Sequence, residues 1–208
     1  SVAGASQGTA RFEQTLAGQD YFAEVTVDLS PLPGSLVPLI ENHADPLVIP
    51  PSCRAAVEEG LRSGCTSGPL GGYALINLHI RVTGGRTRDG SASGIAFAAA
   101  AEQALRQAVA LAGPQLLEPI MMVEVSTPEE FLGGILHDLN GRRAEIQEVD
   151  SRGVLRLVRA KAPLAEMFGY ATVVRSLSTG RASYTMEPCA YAAVDRKKMA
   201  EILGYQPA

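Results

Sequence analysis

The chain has 208 residues, 46% of them hydrophobic and 19% charged, with a formal net charge of −4 at pH 7. Such a balance excludes a disordered chain, and no apolar run reaches the roughly 18 residues that a membrane-crossing helix needs. It also argues against a uniformly basic nucleic-acid binder, while leaving room for a basic face on an acidic body.

This length suits one large domain or two small ones, either long enough to bury a core. Ser1 to Ala10 is small and polar, without the basic start and apolar stretch of a secretory leader, and there is no initiator Met. We therefore expect a piece of a longer polypeptide. From Tyr21 to Leu29 the residues alternate: Tyr21, Ala23, Val25, Val27 and Leu29 on one side, Phe22, Glu24, Thr26 and Asp28 on the other. Period two predicts a half-buried strand, ended by Pro31 and Pro33. Residues 34–50 have no clear period and read as loop with room for a short strand. Ser52 to Cys65 carries Ala55, Ala56, Val57 and Leu61 at helical spacing, and Gly68-Pro69-Leu70-Gly71-Gly72 breaks the chain after it.

Ala74, Ile76, Leu78, Ile80 and Val82 predict a second strand, followed by a polar loop from Thr83 to Ser93. Ala96 to Ala112, rich in Ala, Leu and Gln, has the most pronounced helical character and ends at Gly113-Pro114. Pro119 to Val125 reads as a strand. Thr127-Pro128-Glu129-Glu130 reads as a helix start, with Thr127 as N-cap and Glu130 closing a capping box, and the helix runs to Asn140 before Gly141. Arg143 to Val149 and Val154 to Ala160 form a hairpin around Ser151-Arg152-Gly153. Pro163 opens a helix over Leu164 to Leu177, closed by Gly180. Ala182, Tyr184 and Met186 mark a last strand, and Asp195 to Leu203 reads as a short terminal helix. Strand, helix, strand, strand, helix, strand is the order of a split βαβ sandwich.

Several chemistries find no support. The lysines are Lys161, Lys197 and Lys198, none followed by Ser or Thr, so the chain has no P-loop for a nucleotide. There is no Gly-x-Ser-x-Gly elbow. Glu129 and Glu130 sit in a first helical turn, where the helix dipole accounts for them. Cys53, Cys65 and Cys189 are odd in number and widely spaced, which points to a reducing compartment rather than a disulfide framework. His43, His79 and His137 stand apart in the sequence, without metal-ligand spacing.

Longer blocks carry a family likeness. Leu117-Glu-Pro-Ile-Met-Met-Val-Glu-Val-Ser-Thr-Pro-Glu-Glu130, Asp138-Leu-Asn-Gly-Arg-Arg143, Pro163-Leu-Ala-Glu-Met-Phe-Gly-Tyr-Ala-Thr172 and Thr179-Gly-Arg-Ala-Ser-Tyr-Thr-Met186 resemble the last domain of elongation factor G, in order and spacing. Ser67-Gly-Pro-Leu-Gly-Gly-Tyr73 resembles a block of its penultimate domain. The resemblance implies an α+β chain of two domains. Residues 1–115 would form a ribosomal-protein-like α/β domain IV, and residues 116–208 a ferredoxin-like βαββαβ domain V.

It further implies a module that contacts the ribosome, RNA and proteins of both subunits, as a monomer in the cytoplasm or a mitochondrion. GTP and Mg would belong to an N-terminal domain upstream, leaving no cofactor, metal or catalytic residue in this stretch. One implied RNA-binding tip loop is Gly84, Gly85, Arg86, Thr87, Arg88 and Asp89, with Arg88 where the family often places a His. The other matches Leu16-Ala-Gly-Gln-Asp-Tyr21, where Gln19 and Asp20 replace the Gly-Gly-Arg-Gly-Gln stretch of translocating members. That departure resembles the recycling-specialised paralogue of mitochondria and some bacteria, which splits ribosomes with ribosome recycling factor. Translocation is the alternative role.

In the second half, Arg142, Arg143, Arg175 and Arg181 are candidate RNA contacts near one edge, or else counter-charges for helix C-termini. Phe168 and Gly169 read as packing, and Tyr170 as core. Two readings from other classes stay open: a free-standing enzyme built around His137 or Asp138, and a generic protein-interaction domain.

Overall fold

Runs of alternating and helically spaced apolar residues resolve into strands and helices in a computed structural model, which describes residues 1–16, 18–88 and 92–204. The elements are β1 (Ser6–Leu16), β2 (Gln19–Pro31), β3 (Leu39–Asn42), α1 (Pro51–Cys65), β4 (Leu78–Thr87) and α2 (Gly94–Leu111). They continue with β5 (Leu117–Pro128), α3 (Glu129–Gly141), β6 (Glu145–Arg152), β7 (Leu155–Pro163), α4 (Tyr170–Leu177), β8 (Ser183–Ala193) and α5 (Arg196–Leu203).

Two units share these elements. The break after the first falls between Leu116 and Leu117, and the chain rejoins the first unit at Asp195. By its contacts the terminal helix α5 groups with the first unit, although it follows the second in sequence. Its side chains explain why: Ala200 is buried, and Leu203 packs where a side chain on Gly71 would lie. Asp195 caps the helix by accepting a hydrogen bond from the Lys198 N–H at 2.9 Å.

In the first unit the sheet order is β1-β2-β4-β3. The β2 alternation holds, with Ala23, Val25, Val27 and Leu29 buried against the helices. The sequence reading missed β1, which pairs antiparallel with β2 from Ser6↔Leu29 to Leu16↔Gln19. The alanines of α2 (Ala96, Ala100, Ala101, Ala104 and Ala108, all 0% exposed) let that helix approach unusually closely. At Gly60 of α1, a Cβ would stand 2.3 Å from the Ala98 carbonyl oxygen.

The expected loop from Thr83 to Ser93 is a strand as far as Thr87, whereas Ala74 to Ile76 lie outside β4. The pairing Val27↔Val82 steps to Thr26↔Gly84, leaving Thr83 as an extra residue in a β-bulge. Beyond the bulge the phase of β4 is inverted. Gly85 and Thr87 now lie opposite the core-facing Val25 and Ala23, while Arg86 lies opposite Glu24 on the other face. Gly85 has no room for a side chain, since a Cβ there would meet the Glu24 carbonyl oxygen at 2.7 Å.

The second unit has the order β6-β7-β5-β8 with every neighbour antiparallel, and helices follow β5 and β7. This is the ferredoxin-like sandwich expected. Two local expectations fail. Thr127 is fully buried in β5, paired with Arg156, so it cannot cap α3; the cap position is Pro128, without a side-chain hydrogen bond. The helix predicted over Leu164 to Leu177 is split. A single 3₁₀ turn, Leu164–Glu166, is followed by Gly169 at φ +74, which resets the chain for α4. That reset turns the Tyr170 ring inward, edge-on to Tyr184 at 5.1 Å, and leaves Phe168 79% exposed. The end of α3 falls at Gly141, as expected, and the left-handed residue that follows is Arg143 at φ +58.

Candidate nucleic-acid interface

The inverted end of β4 brings Arg86 and Arg88 to the solvent face of the first sheet. Phe22 lies there too, 2% exposed yet outside the first unit's hydrophobic core. The two guanidiniums cover it, with the Arg88 carbon 4.1 Å and the Arg86 carbon 5.7 Å from the ring centroid. Carboxylates fix them: Arg86 donates to Glu24 at 3.1 Å and Arg88 to Glu13 at 2.7 Å. Arg11 reaches Glu13 as well, at 3.5 Å. Both tip arginines stay solvent-facing, at 61% and 58% side-chain exposure, so their outer faces can meet a ligand.

As far as Thr87, this arrangement replaces the polar loop expected from sequence. Gly84 and Gly85 lie within the ladder, Thr87 ends it, and Asp89 falls outside the described residues. The other tip segment is the β1–β2 turn, with Leu16 paired to Gln19 and Gly18 at φ +82. Asp20 accepts a hydrogen bond from the Thr15 hydroxyl at 2.6 Å, and the Tyr21 hydroxyl donates to Gln19 at 3.3 Å. Both segments flank the strand that carries Phe22.

The second-unit arginines are not one patch. Arg142 is 16% exposed and works as a strap. It donates to Asp138 at 2.8 Å and to the carbonyls of Glu166 and Phe168, and it lies over the Tyr170 ring at 5.1 Å. Arg143 clasps Glu118 through two nitrogens, at 3.0 and 3.1 Å, and Glu166 at 3.1 Å. Those carboxylates hold its already high pKa higher still, through hydrogen bonding to Glu118 first. Arg181 pairs with Glu130 and covers Phe131, at the start of α3, whereas Arg142 and Arg143 stand at its end. Arg175, exposed in the last turn of α4, belongs with Arg181 by chain position. The single edge inferred from sequence is therefore two opposite ends of one helix layer.

Parallel pairing of β3 with β4 joins two histidines that stand apart in sequence. His79 and His43 approach the same Glu41 oxygen at 2.8 and 3.3 Å. These hydrogen bonds, His79 first, hold the Glu41 carboxyl below its ordinary value of 4.5. A depressed carboxylate contributes stability above its unfolded pKa and loses it as pH falls through the folded one. We expect thermal melts of the first unit between about pH 5 and 3 to be less pH-dependent in Glu41→Gln than in the parent. Among the described residues no group of three or more His, Cys, Asp and Glu is placed to hold a metal ion. Burial pushes the Cys65 thiol up to about 11, leaving it protonated at neutral pH.

Comparison with known proteins divides the chain near residue 114, with most of α5 falling in the second match. The family model described as "Elongation factor G, domain IV" matches residues 2–113, and that described as "Elongation factor G C-terminus" matches residues 115–202. Elongation factor G of Thermotoga petrophila is 39% identical over 201 residues, which are 95% of this chain and 29% of that protein. The Fervidobacterium nodosum protein of the same name is 46% identical over 156 residues, 75% of this chain and 23% of its own. Among solved structures, the crystal structure of ttk003000868 from Thermus thermophilus superimposes with a TM-score of 0.86 at 30% identity, covering 97% of this chain and 30% of that one. This chain thus spans under a third of the length of these relatives, and it belongs to the elongation factor G family, of which it carries domain IV and the C-terminal domain.

Proposed function

We propose that this chain is the ribosome-contacting part of a translational GTPase, that Arg86 and Arg88 grip RNA, and that the whole protein acts in ribosome recycling with ribosome recycling factor. The observation that carries the RNA reading is the guanidinium pair held over Phe22 with its outer faces toward solvent. Planar cations so placed suit phosphates and stacked bases alike. Glu13 and Glu24 hold the arginines in position but also compete with phosphate, so binding exchanges one anion for another. Arg175 and Arg181 are the second-unit residues we assign to the ribosome-facing surface, because both are exposed, Arg181 even while paired with Glu130, whereas Arg142 and Arg143 are drawn in to hold the fold. GTP and Mg belong upstream in this reading, since the chain offers no P-loop to hold them.

The RNA contact is tested with Arg86→Gln/Arg88→Gln, which keeps the aliphatic stems over Phe22. Binding to a short RNA hairpin should weaken, and the salt dependence of log K should flatten by about 0.7–0.9 per lost phosphate contact. Glu13→Gln/Glu24→Gln should strengthen binding. An unchanged salt slope in the first variant would remove these arginines from the interface.

Recycling rests on the other tip segment, where Asp20, held by Thr15, puts a negative charge at the β1–β2 turn. Facing RNA, that charge repels phosphate, so the contact made there by translocating members is weakened or remade. Translocation is favoured instead by the relatives' shared name, elongation factor. Supplying the whole protein and GTP to stalled ribosomal complexes separates the two. Subunit separation that requires ribosome recycling factor supports recycling, and advance of the mRNA by one codon supports translocation.

A further inference from the structure

β3 is the outermost strand of the first sheet, and its free side is chemically prepared. The His43 N–H donates to the Val82 carbonyl at 2.9 Å, so His43, Glu41 and Leu39 turn their backbone groups toward β4. Backbone direction alternates along a strand, so Ile40 and Asn42 turn their N–H and C=O groups to the outer edge. Between this edge and α1 lie two cavities on either side of Ile40. One, of about 240 Å³, is walled by Leu36, Val37, Pro38 and Ile76, of which Leu36 is 61% and Val37 67% exposed. The other, of about 420 Å³, is walled by Asn42, Pro51, Val82, Arg54 and Glu58, the last already paired with Arg62 at 2.6 Å. The Arg54 Nε is buried and finds no acceptor among the described residues, although a second nitrogen of the same guanidinium donates to the Ala44 carbonyl at 3.1 Å.

We propose that the outer edge of β3 accepts an extended, acidic polypeptide segment as a fifth strand, one apolar side chain entering the Leu36–Ile76 cavity and a carboxylate reaching Arg54. Main-chain hydrogen bonds to Ile40 and Asn42 supply the pairing, and the two cavities select alternate side chains, which point to one face of an added strand. Arg54 sets the sign of the charge: Glu58, the other charged group of that cavity, is already paired with Arg62, and a guanidinium in the wall is matched best by a carboxylate. RNA suits this edge less well: the Leu36–Ile76 cavity is mostly apolar, the arginine in its wall, Arg62, is paired with Glu58, and the backbone pattern is that of a β-ladder. This surface is separate from the arginine tip, so the two proposals stand or fall independently.

The test uses the 208-residue chain and the blocked peptide acetyl-Thr-Leu-Thr-Asp-Thr-Val-Thr-amide, read by amide hydrogen exchange and fluorescence anisotropy. We expect saturable binding and slowed exchange at the Ile40 and Asn42 amides, with Glu41 unchanged because it already faces β4. Arg54→Gln, or Lys in place of Asp in the peptide, should weaken binding at least about tenfold, as loss of a charge-assisted hydrogen bond does. The peptide swap carries the test if the variant does not fold. The proposal is overturned by no saturable binding, by protection elsewhere, by equal affinity for the Lys peptide, or by an RNA hairpin or a second copy of the chain protecting those amides instead.

Discussion

Arg142→Ala is expected to destabilise the second unit by about 2–4 kcal/mol, the largest effect of any surface-charge substitution in that unit. The side chain is only 16% exposed, and one guanidinium ties the end of α3 to the turn that leads into α4. Truncation removes the partner of Asp138, frees two carbonyls and uncovers the Tyr170 ring. Arg142→Lys should recover little, because one ammonium cannot serve three acceptors in a plane and stack on a ring as well. Arg175→Ala, exposed in the last turn of α4, should stay within about 0.5 kcal/mol. Urea unfolding followed by hydrogen exchange in β5 and β7 checks both. A loss below about 0.5 kcal/mol for Arg142→Ala would show that the strap is dispensable and would return the residue to the candidate RNA contacts.

Two glycine-to-alanine substitutions should act with opposite signs. An alanine in a helix interior is favoured over glycine by up to about 1 kcal/mol. At Gly133 of α3 an added Cβ meets nothing within 4 Å, so Gly133→Ala should stabilise the second unit by about 0.5–1 kcal/mol. At Gly60 the Cβ would stand 2.3 Å from a backbone oxygen of α2, and neither helix can yield without disturbing the alanine seam. Overpacking of that kind costs about 1–3 kcal/mol and outweighs the propensity gain. Gly60→Ala should therefore destabilise the first unit, measured as a lower midpoint in chemical denaturation with an unchanged slope. A rise in stability would mean that α1 and α2 slide apart at little cost.

How far residues announce their own structure differs between the two units. Where burial repeats with a clean period, as in β2, α2 and β5, spacing alone locates the element. β1 escaped although Gly8, Ala10 and Phe12 alternate with Gln7, Thr9, Arg11 and Glu13. Its inward residues are small or only half-buried, and Gln14 breaks the pattern. With β1 unseen, Glu13 could not be recognised as the partner of Arg88, nor Phe22 as anything but an exposed aromatic. The capping box at Thr127 failed for a tertiary reason. Pairing with β7 extends β5 to Pro128 and buries the threonine, so a local preference yields to the sheet. The Glu41 pairing with two histidines depends on parallel register between β3 and β4, which no local signal encodes.

Thr83 gives the arginine tip a rule of length rather than of identity. Because a strand's side chains switch faces at every step, the one supernumerary residue decides whether the positions after it point to solvent or to the interior. The outward positions 86 and 88 can therefore trade arginine for another RNA-compatible side chain and still present it to solvent, while Gly85 just before them stays fixed by its close contact with Glu24. Loss or gain of a single position before them would turn both guanidiniums into the hydrocarbon beneath the sheet. At this end of the molecule the number of residues thus decides the outward face before their identity does, through the parity of a single strand.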